Sequence, residues 1–380
     1  MELQLVRQIA EIDRQAWNSL VMDNNPFLRH EFLQALEDHQ AVSPEYGWYP
    51  QHLVLYDKAR LVAAMPLYAK TNSYGEFVFD HSWAQAWQSV GLAYFPKWVT
   101  SIPYAPVTGQ RFLIAADQNA DHIRQIIIGQ LQTLAYQHNI SGWHVLFANA
   151  NDQAWLNRQK DWLIRHDCHF HWFNRNYQTF DDFLAELKQK KRKNINQERR
   201  KVEAAGVTLK RLNGHTATEQ DWQDFAYFYQ KTFHEKYSVA TLNQSFFQAV
   251  AQALPDQVLL VMAQRDGKNI AGSLMFHSDT TLFGRHWGCV EEVNSLHFEA
   301  CYYQGIEFAI EQGLQKFEPG AGGEHKIARG FEPVKTQSAH WLTQNPFEQG
   351  IAGFLADEKR MIDDYYQDCL AHSPYQLVTP

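Results

Sequence analysis

The stretch Phe317–Phe331, FEPGAGGEHKIARGF, gathers Glu318, Glu324, His325, Lys326 and Arg329 around Gly320, Gly322 and Gly323. Such glycines tolerate positive φ and let a ligand approach the backbone. Glu324 or His325 can take a proton from an attacking ammonium while Lys326 or Arg329 steadies an anionic group, which is the equipment of acyl transfer to an amine. Its heptad GAGGEHK, Gly320–Lys326, is no Walker loop, since GxxxxGK[ST] needs Gly where His325 stands and Ser or Thr where Ile327 stands. A capped polar turn is the plain alternative.

Two nearby segments offer partners. Leu282–Gly288, LFGRHWG, reads as a strand with Arg285 and Trp287 on one side, flanked by glycines that permit close approach. The amphipathic run that follows places Glu299 and Tyr303 on one helix face at i, i+4, with Tyr302 as the i+3 alternative. A carboxylate on a core-facing helix needs a partner or a ligand. Glu299 is therefore a third catalytic candidate, and Arg285, Trp287, Tyr303, Glu318, Lys326 and Arg329 are candidate substrate contacts. In the first half, Phe79–Trp83 leads into an aromatic insert, Tyr94–Tyr104, and then Pro106–Gly109. Asp80, His81, Tyr104 and Thr108 are second-rank candidates on that lid or cleft wall.

The run Lys188–Lys201, KQKKRKNINQERRK, holds eight cations, the single anion Glu198 and one apolar residue, Ile195. It predicts a protruding basic helix, with Glu186, Lys190, Lys193, Gln197 and Lys201 roughly on one face. Lys190, Lys191, Arg192, Lys193, Arg199 and Arg200 could meet phosphates by charge without reading bases. The ligand could be RNA or a nucleotide diphosphate, which Arg192 or Arg199 could hold bidentately; a solvated face is the alternative. In HDCHFHW, His166, Cys168, His169 and His171 alternate as in a strand, so no metal site is expected.

These groups need scaffolds, and 380 residues suit two domains. Apolar residues at 45% and aromatics at 14% exclude disorder, and a net charge of −8 offers no general attraction to nucleic acid or anionic membrane. Four cysteines without a CxxC pair fit a reducing compartment. The N-terminal segment lacks the apolar core of a signal peptide, and no window reaches 18 charge-free apolar residues, so a cytoplasmic location is expected.

The first half reads as helices near Ile9–Leu20 and Leu28–Asp38, strands near His52–Tyr56, Leu61–Tyr68 and Phe77–Phe79, a helix near Asp121–Gln137 and a strand at Trp143–Phe147. The second gives helices near Asp221–Lys236 and Ser245–Ala253, strands Val258–Ala263, Ile270–His277 and Thr281–Cys289, a helix Leu296–Gln312 and a strand Leu314–Phe317. Helix, helix, three-strand meander, helix, strand recurs. That order matches the acyl-CoA N-acyltransferase (GNAT) core. The expected fold is α+β, with two tandem GNAT-like domains at 1–165 and 166–380, a basic helix at 183–205 between them and a C-terminal helix at 346–371.

Four segments together resemble the FemAB-like peptidoglycan biosynthesis/recognition family of the GNAT superfamily. They are YAPVTGQRFL at Tyr104, FHWFNRNYQTFDDFLAELKQKKRKNINQERRKV at Phe170, GRHWGCVEEVNSLHFEACYYQGIEFAI at Gly284 and FEPGAGGEHKIARGFEP at Phe317. The resemblance implies an amide-forming acyl or aminoacyl transferase in cell-wall synthesis. By analogy with the Fem ligases, it would move an amino acid from aminoacyl-tRNA to a muramyl-peptide amine with no further cofactor. The basic helix falls roughly where Fem ligases insert a helical arm. Typical acetyltransferases hold coenzyme A pyrophosphate on a Q/R-x-x-G-x-G/A loop. Here that junction reads Cys289–Ser295, CVEEVNS, without the glycines and with two carboxylates. An acyl-CoA donor is therefore the alternative, and a non-catalytic RNA or muropeptide recognition module is a third reading.

Overall fold

In a computed structural model that describes residues 1–376, the chain forms two α+β units: 1–167 with 335–363, and 168–334 with 364–376. In the first unit, Glu2–Val6, His52–Asp57, Arg60–Met65 and Leu113–Ile114 make an antiparallel sheet. A second sheet runs Trp48–Pro50, Tyr68–Lys70, Lys97–Thr100, Gly142–Leu146 and then residues 338–342. Its Lys97–Thr100 and Gly142–Leu146 strands are parallel, joined through the helix Ala120–Gln137. Ile123, Ile127, Leu131 and Ala135, four residues apart, bury that helix on Trp98, Trp143 and Val145. Each isoleucine or leucine side chain so buried contributes about 1.5–3 kcal/mol. Strand alternation turns Lys97, His144 and His340 to the opposite face, under Trp83 of the helix His81–Ser89.

Two first-unit expectations change. Ile9–Leu20 is not one helix, because Asp13 is extended and caps a short helix, Arg14–Asn18, after the turn Ile9–Glu11. Phe77–Phe79 forms no strand, and Phe77 has φ +60°.

The second unit follows the expected order. Helices Glu219–Glu235, opened by a Thr218/Asp221 capping box, and Gln244–Ala253 precede the meander Val258–Arg265, Lys268–His277 and Thr281–Cys289. A helical run, Leu296–Glu311, leads to Lys316–Glu318, which pairs in parallel with Thr281–Phe283 only. Beyond Phe283 the two strands part. The register slips between Leu274 and Met275, which makes Arg285 the extra residue of a bulge.

The domain limits differ from 1–165 and 166–380. The chain leaves the first unit after Asp167, and Lys335–Asp363 belongs to that unit because Ser338–Leu342 pair with Gly142–Leu146. The C-terminal helix, Glu348–Ala371, therefore begins in one unit and ends in the other. The basic segment, expected as one helix at 183–205, is two. Phe180–Glu186 has a Thr179/Asp182 capping box, Leu187 and Lys188 are non-helical, and Gln189–Ala204 follows. Glu186 thus shares no helix face with Lys190. Ile195 and Val202 are buried, so the basic helix is docked along one side rather than protruding.

Candidate active site

Gly323 and Gly330, both at φ above +90°, bracket a turn, Glu324–Arg329, that displays Glu324 and His325 to solvent. The imidazole lies against Gly323, where an added Cβ would sit 2.4 Å from His325 Cε1. Its Nε2 is 2.9 Å from the Tyr302 hydroxyl. Partial burial, then the Lys326 and Arg329 charges, lower the His325 pKa, while burial raises that of Tyr302. His325 is thus a neutral imidazole near pH 7, beside a hydroxyl that keeps its proton. Glu324 is hydrogen-bonded to Tyr365 of the C-terminal helix.

The two cations of this turn face inward, contrary to the anion-holding role read from the sequence. Lys326 is buried, donates to the Gly320 and Ala321 carbonyls at 2.7 and 3.2 Å, and has its pKa brought down to about 8 by burial. Arg329 pairs with Glu198, donates to the His325 carbonyl and covers the Phe298 ring. Both are committed to holding the turn.

The helical run carries a π-turn at Glu299–Tyr303, where Gln304 N–H reaches the Glu299 carbonyl. Such bulges redirect side chains and concentrate at functional sites. Here Tyr302 faces His325, whereas Glu299 and Tyr303 both face the basic helix. Tyr303 donates to Glu198, and Glu299 accepts from Arg199 at 3.1 and 3.2 Å and from Gln304 at 2.8 Å. Burial raises the Glu299 pKa in spite of Arg199. Glu299 does not reach the His325 turn and is held in an ion pair.

Along the basic helix runs a groove of about 770 Å³, lined by Arg192, Lys193, Arg199 and Arg200, with Val202, Val207 and Leu209 as its apolar part and Glu299 and Gln304 opposite. Arg199 is taken by Glu299 and by Glu307, 2.6 Å away. Arg192, Lys193 and Arg200 form no ion pair among the described residues. Of the six cations named from the sequence, these three line one groove without an ion-pair partner among the described residues, Arg200 donating through Nε to the Asn196 carbonyl at 3.2 Å; Lys190 and Lys191 do not line it.

On the meander side, Glu318 pairs with Lys316 at 2.6 Å, and burial lowers the Arg285 pKa to about 10. The bulge at Arg285 interrupts the alternation expected there. His286 packs on Tyr229, and the Trp287 ring meets His297 at 5.4 Å. Lys316–Glu318 pairs in parallel with the meander strand no further than Phe283. Sequence reading missed His297, packed beside both Trp287 and Tyr302 and kept neutral by burial, with its pKa near 4. It also missed Tyr365, which no local pattern links to Glu324.

The first-unit candidates take structural positions. Asp80 is buried against Lys97. His81 is exposed at a helix start, Thr108 is half-buried, and Tyr104 donates to the Ala41 carbonyl at 2.9 Å. Glu76, Asp80 and His144 place ligand atoms within 4.8 Å of one another, but the Lys97 ammonium already sits against both carboxylates. The donor set is thus supplied with its own cation. The HDCHFHW segment lies in the strand Leu163–Phe173, where Cys168, His169 and His171 are all buried. Among the described residues, no helix is long and apolar enough to cross a membrane.

A family model, FemAB-like, described as peptidoglycan biosynthesis/recognition, matches residues 8–377. No curated protein matches the chain in sequence. Among solved structures, the chain is similar to FemX at 11% identity and a TM-score of 0.54, over 92% of this chain and 99% of that one. It is also similar to a conserved protein of unknown function from Bacteroides thetaiotaomicron, at 12%, 0.53, 90% and 100%. L-PGS from Bacillus licheniformis gives 9%, 0.53, 85% and 94%. At these identities the likeness is one of fold.

Proposed function

Because the chain belongs to the FemAB-like peptidoglycan biosynthesis/recognition family, we propose that it is an amide-forming acyl or aminoacyl transferase whose acceptor is an amine of a muramyl-peptide or similar precursor. The observation that carries this reading is the Tyr302–His325 pair at the tip of the glycine turn. With Nε2–H donating to the Tyr302 oxygen, Nδ1 is left to accept a proton from the amine. The deprotonated nitrogen attacks the activated ester carbonyl, the C–N bond forms as the C–O bond breaks, and the leaving oxygen regains a proton. An activated ester carries its own driving force, so no cofactor is required.

The donor in this reading is aminoacyl-tRNA or another phosphate-bearing carrier, with phosphates on Arg192, Lys193 and Arg200. An acyl-CoA donor is disfavoured by the junction after the meander. There Glu291 pairs with Arg265, Glu292 is exposed and Ser295 has φ +69°, which offers no glycine loop for pyrophosphate.

The test is binding of purified protein to bulk aminoacyl-tRNA across a salt series, with coenzyme A as competitor, beside transfer to a muramyl-peptide amine. Salt-sensitive tRNA binding and amide formation support the reading. Saturable coenzyme A binding without tRNA binding makes this an acyl-CoA N-acyltransferase. Binding without transfer under any donor leaves a recognition module.

A further inference from the structure

Glu198 is the one carboxylate among the fourteen residues Lys188–Lys201, and it faces the His325 turn. Its Oε1 lies 2.6 Å from Arg329 Nη2 and its Oε2 3.2 Å from Arg329 Nε, and the Tyr303 hydroxyl donates to it as well. Through Nη1, Arg329 donates to the His325 carbonyl at 2.7 Å, while its guanidinium covers the Phe298 ring at 3.3 Å. Next in sequence, Arg199 pairs with Glu299 and Glu307, which fixes the rotation of the basic helix so that Glu198 is aimed at the turn.

We propose that Glu198 is a positioning residue: through Arg329 it fixes the backbone of His325 and thereby the direction of the imidazole. A turn entered through Gly320, Gly322 and Gly323, all at positive φ, has little rigidity of its own. Within it the backbone supplies Lys326 N–H to Gly323 O, Gly330 N–H to Ile327 O and Phe331 N–H to Lys326 O. The Glu198–Arg329 pair is bidentate and charge-assisted, so each of its bonds is about twice as strong as a neutral one. With Arg329 only 9% exposed, loss of the carboxylate leaves a buried cation poorly compensated in its present place. The consequence for catalysis rests on the acyl-transfer reading of His325, but the mechanical claim does not.

The experiment uses the full chain and the near-isosteric Glu198→Gln. Hydrogen exchange by mass spectrometry over residues 323–331 is expected to quicken about tenfold or more. Peptides covering 258–283 should keep wild-type rates. Glu198→Asp, which keeps the charge, should exchange more slowly than Glu198→Gln, and against an Arg329→Lys background Glu198→Gln should add little. In the transfer assay, kcat should fall with KM for the amine little changed. Unchanged exchange at 323–331, or equal acceleration throughout the second unit, overturns the proposal. If wild-type protein performs no transfer, the acyl-transfer reading fails, and exchange alone still decides whether Glu198 holds the turn.

Discussion

In the first unit, Lys97 Nζ lies 2.8 Å from Glu76 Oε2 and also contacts Asp80 Oδ2, with all three side chains at 0–1% exposure. One cation therefore serves two carboxylates, and they share it unequally. Burial alone would raise the Asp80 pKa, but Lys97, His144 and a hydroxyl from Ser73 at 2.5 Å hold it far below the usual carboxylate range. Burial, with Asp80 adding to it, lifts Glu76 from the ordinary 4.5 to about 7 in spite of Lys97. A carboxyl raised in the folded state keeps its proton where the unfolded chain has released it. Stability thus declines as pH rises from 4.5 to 7 and stays lower above that window. Asp80 has the opposite sign: its contribution is complete above about 4 and is lost only in stronger acid, outside the window. At 1.36 kcal/mol per pH unit, the Glu76 term between pH 5 and pH 8 amounts to about 2–3 kcal/mol. Glu76→Gln cannot titrate, so its stability relative to wild type should improve by about 2–3 kcal/mol over that range. Urea denaturation at the two pH values measures it, and tryptophan fluorescence is a suitable probe because nine of the 12 tryptophans lie in the first unit. A difference that does not change with pH would refute the reasoning, since Glu76 would then be ionised throughout.

Three further outcomes concern the second unit. His325→Ala should lower kcat for amide formation by about 10²–10⁴-fold while the amine still binds, and in wild type the acid limb of kcat/KM should fall below pH 6.5 because the His325 pKa is lowered. Gly323→Ala puts a Cβ into the His325 ring at φ +94°; it should cost activity beyond any loss of Tm, with His325 solvent exchange as the control. Reversal of Arg192, Lys193 and Arg200 to Glu should weaken tRNA binding across all sequences and reduce the magnitude of the log–log salt slope by about three; an unaltered slope removes the groove from the phosphate path.

The second-unit order was readable because each piece is local: the Thr218/Asp221 capping box, hairpin turns at Asp266-Gly267 and Ser278–Thr280, and alternation along the strands. The glycine turn was readable too, as was the pair of Glu299 and Tyr303 on one face. What the turn's own charges do was not. Lys326 and Arg329 look like ligand-binding cations until their acceptors are known, and the Arg329 partner, Glu198, lies 131 positions away. The basic run displays its charge but conceals its docked side, because Ile195 and Val202 are too few to register as an amphipathic stripe. The π-turn leaves no local mark, and the Lys97 triad depends on residues spread from Ser73 to His144. The expected domain limits failed for a related reason, since nothing within Ser338–Leu342 announces that its partner is Gly142–Leu146.

That return of the chain has a consequence for biosynthesis. The strand at 338–342 completes the first unit's second sheet by pairing with Gly142–Leu146, yet it emerges from the ribosome only after the whole of the second unit's meander. Until then, nascent residues 1–167 carry an open strand edge at Gly142–Leu146, with Trp143 and Val145 on the flank of an unfinished core. The unit that begins first therefore closes after most of the other has been made. A fragment cut at residue 165 is not a domain but a stalled intermediate, and it should aggregate unless residues 335–363 are supplied to it.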